Sequence, residues 1–357
     1  MKIVLSGGGT LGPVVPLLAV AEAYRAHDPS VQLLWIGTKN GPERPLVEEH
    51  NIPFIPVGSG KLRRYFSLLN IIDLFRLVSA FFQCLVILWK EKPDLLISAG
   101  GYVSVPLHWA GAFLAMPEWV HQQDVRIGLA NKLMFPLARK ITTSLSQTAE
   151  KMPEKKTEWI GNPSRDLSVA DREEAKRRFG IPEDAHVIFA LGGGTGSQSV
   201  NQIVIASLPH LNPKWHVIHL VGKERSKELA ERAATIFQNY HVYDFFTEEM
   251  KDAYAAADVV VGRGGFSTLT ELASLSKAAI ILPMHGTHQE ENVEIFAKNG
   301  GVVSLDVLAD GLKLAQILRD LIDIPEKREE MGKTLHKLLP VTSPAKIVSI
   351  IEGLTKN

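Results

Sequence analysis

A doubly wound α/β fold, built twice along one chain, is what the sequence predicts, and two observations carry that expectation. The first is a pair of glycine-rich turns, Gly7-Gly8-Gly9-Thr10-Leu11-Gly12 and Gly192-Gly193-Gly194-Thr195-Gly196. Each follows an apolar run of strand formers, Ile3 to Leu5 or Val187 to Leu191, and precedes a helix-like stretch, the order found in nucleotide-binding units. The second is an alternation of strand-like and helix-like segments in both halves, which implies parallel sheets covered on both faces. The expected product is two Rossmann-like domains facing across a cleft. Each brings glycine backbone and a helix N-terminus within reach of a phosphate. For either turn taken alone, a tight strand-to-helix connection without a ligand is the alternative.

In the first half, strands are expected at 2–6, 31–36, 53–57, 94–98, 118–121, 140–143 and 157–160, with helices near 12–26, 43–50, 68–91, 103–115, 127–138 and 146–151. The turn Gly161-Asn162-Pro163-Ser164-Arg165 then precedes a charged helix, Asp171 to Phe179, closed by Gly180. In the second half, strands at 186–191, 215–221, 241–245, 258–261, 278–282 and 302–304 alternate with helices near 197–208, 225–237, 249–256, 267–276, 288–299 and 311–322. Pro344 to Thr355 reads as a terminal helix that returns to the first domain. The expected domains are therefore 1–162 and 163–340, followed by the returning segment 341–357.

A chain of 357 residues exceeds what one core usually supports. Its 45% apolar and 22% charged residues are ordinary globular values and argue against disorder. The lone Cys84 sits in an apolar run, which fits a buried thiol in a reducing compartment. Met1-Lys2 leads straight into the first strand without a signal-peptide pattern, so a cytosolic chain is expected. Residues 1–160 hold 17 Lys and Arg against 13 Asp and Glu, and the remainder 22 against 26. That asymmetry is too slight to support nucleic-acid binding.

One segment stands out in the basic half. The uncharged run Leu77 to Trp89 is 13 residues long, well short of the roughly 20 needed to span a bilayer. Leu74, Phe75, Leu77, Val78, Phe81, Phe82, Leu85, Val86, Leu88 and Trp89 make a helix candidate apolar on most of its circumference, and Arg63, Arg64, Arg76, Lys90 and Lys92 flank it. Two readings stay open: a buried core helix, or a helix lying on an anionic membrane surface.

The strongest local signal is Asp258-Val259-Val260-Val261-Gly262-Arg263-Gly264-Gly265-Phe266-Ser267-Thr268-Leu269-Thr270-Glu271. Three valines make a buried strand, the glycines free the backbone at its carboxyl end, and Ser267 or Thr268 begins a helix aimed at a diphosphate. Glu271 then has two readings, as a carboxylate for two ribose hydroxyls or as the far member of a Thr268-x-x-Glu271 capping box. After the next strand, Pro283 to Asn292 carries His285, His288, Gln289, Glu290 and Glu291. Its amides suit sugar recognition better than its histidines suit a metal. No Asp-x-Asp occurs, so positive charge for a phosphate is expected from Arg165, Arg263 and helix dipoles.

Taken together, Ser6 to Pro13 with Pro16, Ala99-Gly100-Gly101-Tyr102-Val103-Ser104, His121-Gln122-Gln123 with Asn131-Lys132, Gly161 to Arg165, Arg263 to Glu271, and His288-Gln289 with Asn292 occur in one order. In that order the chain resembles the MurG-type N-acetylglucosaminyltransferases of peptidoglycan synthesis over nearly its whole length. The resemblance implies a GT-B fold, no cofactor, and transfer from UDP-N-acetylglucosamine to an undecaprenyl-linked muramoyl-pentapeptide at the inner membrane face. It implies that Gly8, Gly9, Thr10, Leu11, Gly12, Gly100, Gly101 and Tyr102, with Gln123 and Asn131, bind the acceptor. On the donor side, Thr247 would face uracil, Glu271 the ribose, and Gln289 with Asn292 the sugar. Arg263, Gly264, Gly265, Phe266, Ser267 and Thr268 would form the diphosphate turn, and Arg165 with Gly194-Thr195 would neutralise the leaving UDP.

The chain departs from the family's pattern at three places. Pro13 stands where the first loop usually has a histidine, a leading candidate for the catalytic base; Gln122 and Asp124 replace a glutamate and an asparagine; and Gly193-Gly194-Thr195-Gly196 replaces a Gly-Gly-Ser-Gln-Gly turn. Asp124 is therefore a candidate base, with His121 as the other route and a solvated loop aspartate as the alternative. Two other functions compete. Gly7-x-Gly9-x-x-Gly12 also fits a dinucleotide-dependent oxidoreductase, although the stretch Trp35 to Asn40 lacks the acidic ribose ligand expected there. The third is a membrane-associated UDP-sugar binder that has lost turnover with the loop histidine.

Overall fold

The structure, a computed structural model, describes residues 1–60, 69–167, 171–193, 196–223 and 228–356. The chain forms two compact units, one of Met1–Arg165 with Pro340–Asn357 and one of Asp166–Leu339. In the first, seven strands lie parallel: β1 (Lys2–Ser6), β2 (Gln32–Thr38), β3 (Phe54–Val57), β4 (Leu95–Ser98), β5 (Glu118–Gln122), β6 (Lys140–Thr143) and β7 (Thr157–Trp159). Their order is β3-β2-β1-β4-β5-β6-β7. Near-continuous apolar strands such as Ile3-Val4-Leu5 and Leu95-Leu96-Ile97 suit a sheet buried on both faces. Helices α1 (Val15–His27), α2 (Glu43–Glu49), α3 (Leu69–Glu91), α4 (Ser104–Phe113), α5 (Leu129–Met134) and α6 (Ser146–Ala149) connect them. The terminal helix Pro344–Thr355 packs Ile347, Ile350, Ile351 and Leu354 into the core under α1, beside Leu17 and Tyr24.

The second unit opens with α7 (Arg172–Arg178), whose Asp171 caps the amides of Glu173 and Glu174. Its six strands are also parallel: β8 (Val187–Leu191), β9 (His216–Leu220), β10 (Tyr240–Tyr243), β11 (Val259–Arg263), β12 (Ala278–Leu282) and β13 (Val303–Ser304). The order β10-β9-β8-β11-β12-β13 repeats that of the first sheet. Between them run α8 (Gln198–Ser207), α9 (Glu228–Ala234), α10 (Glu249–Ala256), α11 (Phe266–Ser274), α12 (His288–Lys298) and α13 (Gly311–Asp323).

A further helix, α14 (Pro325–Leu338), was not expected. Only Met331, Gly332 and Leu335 are buried on it, too thin a stripe for the apolar period to stand out. Its end signals were legible, with Pro325 in the first turn and His336 and Lys337 in the last. Gly332 lets it press on the Ser276 backbone, which a Cβ there would overlap.

The 74–89 segment lies within α3 and is buried on one face of it. Asp73, Leu77, Ala80, Cys84 and Leu88 are buried at helical spacing, and the Cys84 thiol is pushed up to about 12 by that burial. The opposite face shows Leu74, Phe75, Val78, Phe82, Val86 and Trp89 to solvent, with Phe113 of α4 standing alongside through Phe81. Arg63 and Arg64 lie outside the described residues. Among the described residues no helix is long and apolar enough to cross a membrane.

Candidate active site

In an open parallel sheet the strand order reverses at one point, and ligands bind beyond the carboxyl ends of the two strands that flank it. In the first unit those strands are β1 and β4. The predicted acceptor segments Gly8 to Gly12 and Gly100-Gly101-Tyr102 follow them directly, and the loop from Gln123 follows the next strand, β5. Gly9, Gly100 and Gly101 adopt positive φ of 83°, 112° and 91°, where a side chain is strained. Gly101 also lies against Gly8, whose amide nitrogen and carbonyl oxygen a Cβ would meet at 3.0 Å. The Ser104 hydroxyl ties the two segments, 3.0 Å from Ser6 O and 2.9 Å from Gly100 O. The Trp35 indole donates to Gly7 O at 3.0 Å.

His121, one of the two expected routes for the proton, is buried with both ring nitrogens engaged. It is 2% exposed, with Nδ1 2.8 Å from Thr142 Oγ1 and Nε2 2.9 Å from Asn162 Oδ1 and 3.0 Å from Ser144 Oγ. An amide oxygen only accepts, so Nε2 carries the hydrogen and Nδ1 accepts from Thr142. Burial holds the imidazole down to about 4. The ring fastens β5 and β6 to Asn162, and so positions the Gly161 to Arg165 turn, where Arg165 is half-buried.

Beside it, Gln122 donates to Asp124 O at 2.7 Å, and Asn131 donates to Gln122 Oε1 at 2.6 Å and to His121 O at 3.2 Å. Gln123 donates to Gly12 O at 3.1 Å, joining this loop to the first glycine turn. Gln123 Oε1 and Asn131 Oδ1 are buried and accept no hydrogen bond among the described residues. Such orphaned acceptors carry a cost unless a ligand hydroxyl, an N–H or water meets them. Asp124 is half-buried in the loop past β5.

The second unit reverses order between β8 and β11. After β8, Gly193 and Gly196 have φ of 81° and 78°, and Ser197 caps α8 by accepting from the Val200 amide. Gly194 and Thr195, expected to bind the donor, lie outside the described residues. After β11, the half-buried Arg263 ends the strand and Gly264 lets α12 close in, since a Cβ there would stand 2.6 Å from Val293 Cγ2.

Helix α11 begins at Phe266 with Gly265 as its N-cap, not at Ser267 or Thr268. Thr268 is therefore inside the first turn and Glu271 in the helix interior, so the capping-box reading falls. Glu271 is 8% exposed and accepts from the Tyr254 hydroxyl at 2.9 Å. Tyr254, on α10, is fully buried against Phe189. Sequence reasoning missed it, because nothing local links positions 254 and 271.

Gln289 Oε1 accepts from the Met284 amide at 3.1 Å and Asn292 is fully buried one turn on. Thr247 is exposed after β10, beside an aromatic group of Phe179, Tyr243 and Phe246 with centroids 4.8–5.9 Å apart. His285 pairs with Glu290 at 3.0 Å in the exposed loop.

Residues 3–143 match the glycosyltransferase family 28 N-terminal domain, and residues 187–344 the C-terminal domain of the same family. A UDP-N-acetylglucosamine–N-acetylmuramyl-(pentapeptide) pyrophosphoryl-undecaprenol N-acetylglucosamine transferase of Legionella pneumophila is 32% identical over 358 residues, covering 98% of this chain and 96% of the relative. The Clostridium perfringens protein of that name is 32% identical over 334 residues, 92% and 91% of the two chains. The crystal structure of Acinetobacter baumannii MurG superposes with a TM-score of 0.77 at 22% identity, covering 99% of each chain. A UDP-GlcNAc 2-epimerase from Neisseria meningitidis bound to UDP-GlcNAc gives 0.70 at 15% identity and full coverage of both, a likeness of fold. These matches set aside the oxidoreductase reading of the first glycine turn. With both family domains in order and identity above 30% over more than nine-tenths of its length, the chain belongs to glycosyltransferase family 28, among its MurG-type N-acetylglucosamine transferases.

Proposed function

We propose that this protein moves N-acetylglucosamine from UDP-N-acetylglucosamine to the 4-hydroxyl of an undecaprenyl-diphospho-muramoyl-pentapeptide, inverting the anomeric centre, while bound peripherally to the cytoplasmic face of the cell membrane. The observation that carries the reading is the end-to-end match to curated transferases of that activity, across both parallel sheets. In this reaction the acceptor oxygen attacks the anomeric carbon, the bond to UDP breaks, and the acceptor proton leaves to a base. Asp124 is our candidate base, supported by its loop at the carboxyl end of β5 and by the burial of His121. Glu271 takes the ribose hydroxyls, Thr247 the base, and Gln289 with Asn292 the sugar. Arg165, Arg263 and the N-termini of α8 and α11 offset the charge gathering on UDP.

Membrane docking rests on α3. Its exposed Phe75, Phe82 and Trp89 sit on the face opposite the core, with Arg76, Lys90 and Lys92 exposed around them. The test is to supply UDP-N-acetylglucosamine with and without a short-chain lipid-linked muramoyl-pentapeptide, following UDP release and the disaccharide product. UDP released only with the acceptor, together with the β-linked disaccharide, is expected. A protein that binds UDP-N-acetylglucosamine yet forms no product is the non-turnover binder instead.

A further inference from the structure

The first glycine turn has an occupant of its own. Glu43, the first residue of α2, is fully buried, and its carboxylate accepts from the Gly9 amide at 3.2 Å and from the Thr38 amide at 2.6 Å. It also accepts from the Thr38 hydroxyl. Gly8 and Gly41 enclose the carboxylate so closely that a Cβ at either would overlap it, and one at Gly37 would stand 3.2 Å from Oε1. The Tyr102 ring closes the other side, where a Cβ on Gly9 would meet Cε1 at 2.7 Å. Burial first, then the Glu43 carboxylate, pushes the Tyr102 phenol up. Gly8 is buried, whereas Thr10 and Gly12 are exposed.

An absent side chain at a phosphate-binding turn is usually credited to the ligand outside. Here the missing side chains at 8 and 41 make room for a carboxylate inside. A buried anion that satisfies two amides and a hydroxyl is strongly held, and removing it leaves those donors unpaired. We infer that Glu43 is a positioning residue for the acceptor: its carboxylate acts as an internal anion locking Gly8-Gly9, Thr38 and Tyr102 together, so that a ligand diphosphate meets this turn from the Thr10 to Gly12 side. The Gly9 amide is engaged inward and the fixed negative charge repels a second anion there. The inference deepens the proposed transfer reading and rests on it for the identity of the acceptor, but its first readout needs no turnover.

That readout is amide hydrogen exchange in the full-length protein, comparing wild type with Glu43→Gln, Glu43→Ala and Thr38→Val. Exchange in segments 7–14 and 100–105 should quicken by about tenfold or more, the scale of losing a hydrogen bond to a charged group, with segment 196–207 unchanged. The second readout uses UDP-N-acetylglucosamine and a short-chain muramoyl-pentapeptide diphosphate. Acceptor KM should rise by about tenfold in Glu43→Ala and less in Glu43→Gln, with donor KM unchanged. Wild-type exchange in 7–14 of a folded variant overturns the inference, as does an equal rise in both KM values, which a general loosening would give. If Glu43→Ala does not fold, Glu43→Gln and Thr38→Val carry the same comparison. Failure of the wild type to form disaccharide sinks the transfer reading alone, since the exchange comparison still decides the role of Glu43.

Discussion

The pair Tyr254 and Glu271 lets structural and binding roles of one carboxylate be separated. Tyr254 is fully buried and Glu271 is 8% exposed, joined at 2.9 Å. Glu271→Ala deletes the acceptor of the Tyr254 hydroxyl, and losing a buried hydrogen bond to a charged group costs about 1–3 kcal/mol. Tyr254→Phe keeps the ring on Phe189 and removes only the donor, so about 1 kcal/mol is expected. In a unit of this size 1 kcal/mol corresponds to roughly 2–4 °C in Tm. UDP affinity should divide differently. On the proposed ribose role, Glu271→Ala should weaken UDP by about 10-fold or more, whereas Tyr254→Phe leaves the carboxylate present but less firmly aimed and should cost only a few-fold.

Calorimetric UDP titration beside urea unfolding of both single variants and the double variant measures each role. The double variant should be no less stable than Glu271→Ala, because both changes remove the same bond. Unchanged UDP affinity in Glu271→Ala, with lowered stability, would refute the ribose assignment and leave Glu271 as a packing partner of Tyr254.

Three other outcomes are expected. Because Phe82 and Trp89 are 60% and 74% exposed, the double change to serine should leave the unfolding midpoint near wild type while abolishing cosedimentation with anionic vesicles at low salt; unaltered cosedimentation would free α3 of that role. Asp124→Asn should lower kcat by about 10²–10⁴ with UDP-N-acetylglucosamine affinity unaltered, and a wild-type pH profile in that variant removes Asp124 as base. The buried His121 imidazole, held down to about 4, favours the folded state while neutral. Its contribution is complete above the unfolded value near 6.5 and is lost as pH falls through about 4, amounting to about 3 kcal/mol across that window. His121→Asn should therefore flatten the acid limb of the urea-midpoint profile, and an equally steep limb would place the sensitivity elsewhere.

What the sequence determined by itself is whatever is local along the chain. Glycine turns after apolar runs marked the ends of β1 and β8, and valine and isoleucine runs marked buried parallel strands, since strand, turn and helix start are specified by adjacent residues. The order of six motifs was enough to indicate the family. Tertiary structure alone decided what depends on residues distant in sequence. It put Glu43 under Gly9 and Tyr254 against Glu271, separations of 34 and 17 residues. It buried His121 against Thr142 and Asn162. The α11 start was misread for a related reason: Gly265 serves as N-cap with no side chain to announce it, while Thr268 and Glu271 imitate a cap that the backbone does not use. Apolar periodicity shows that α3 is rich in large side chains, but only the packing of Leu77, Cys84 and Leu88 on the sheet fixes which face is left for solvent or lipid. Side-chain chemistry is written in the sequence, whereas its partners, burial and direction are set by the folding of remote segments onto one another.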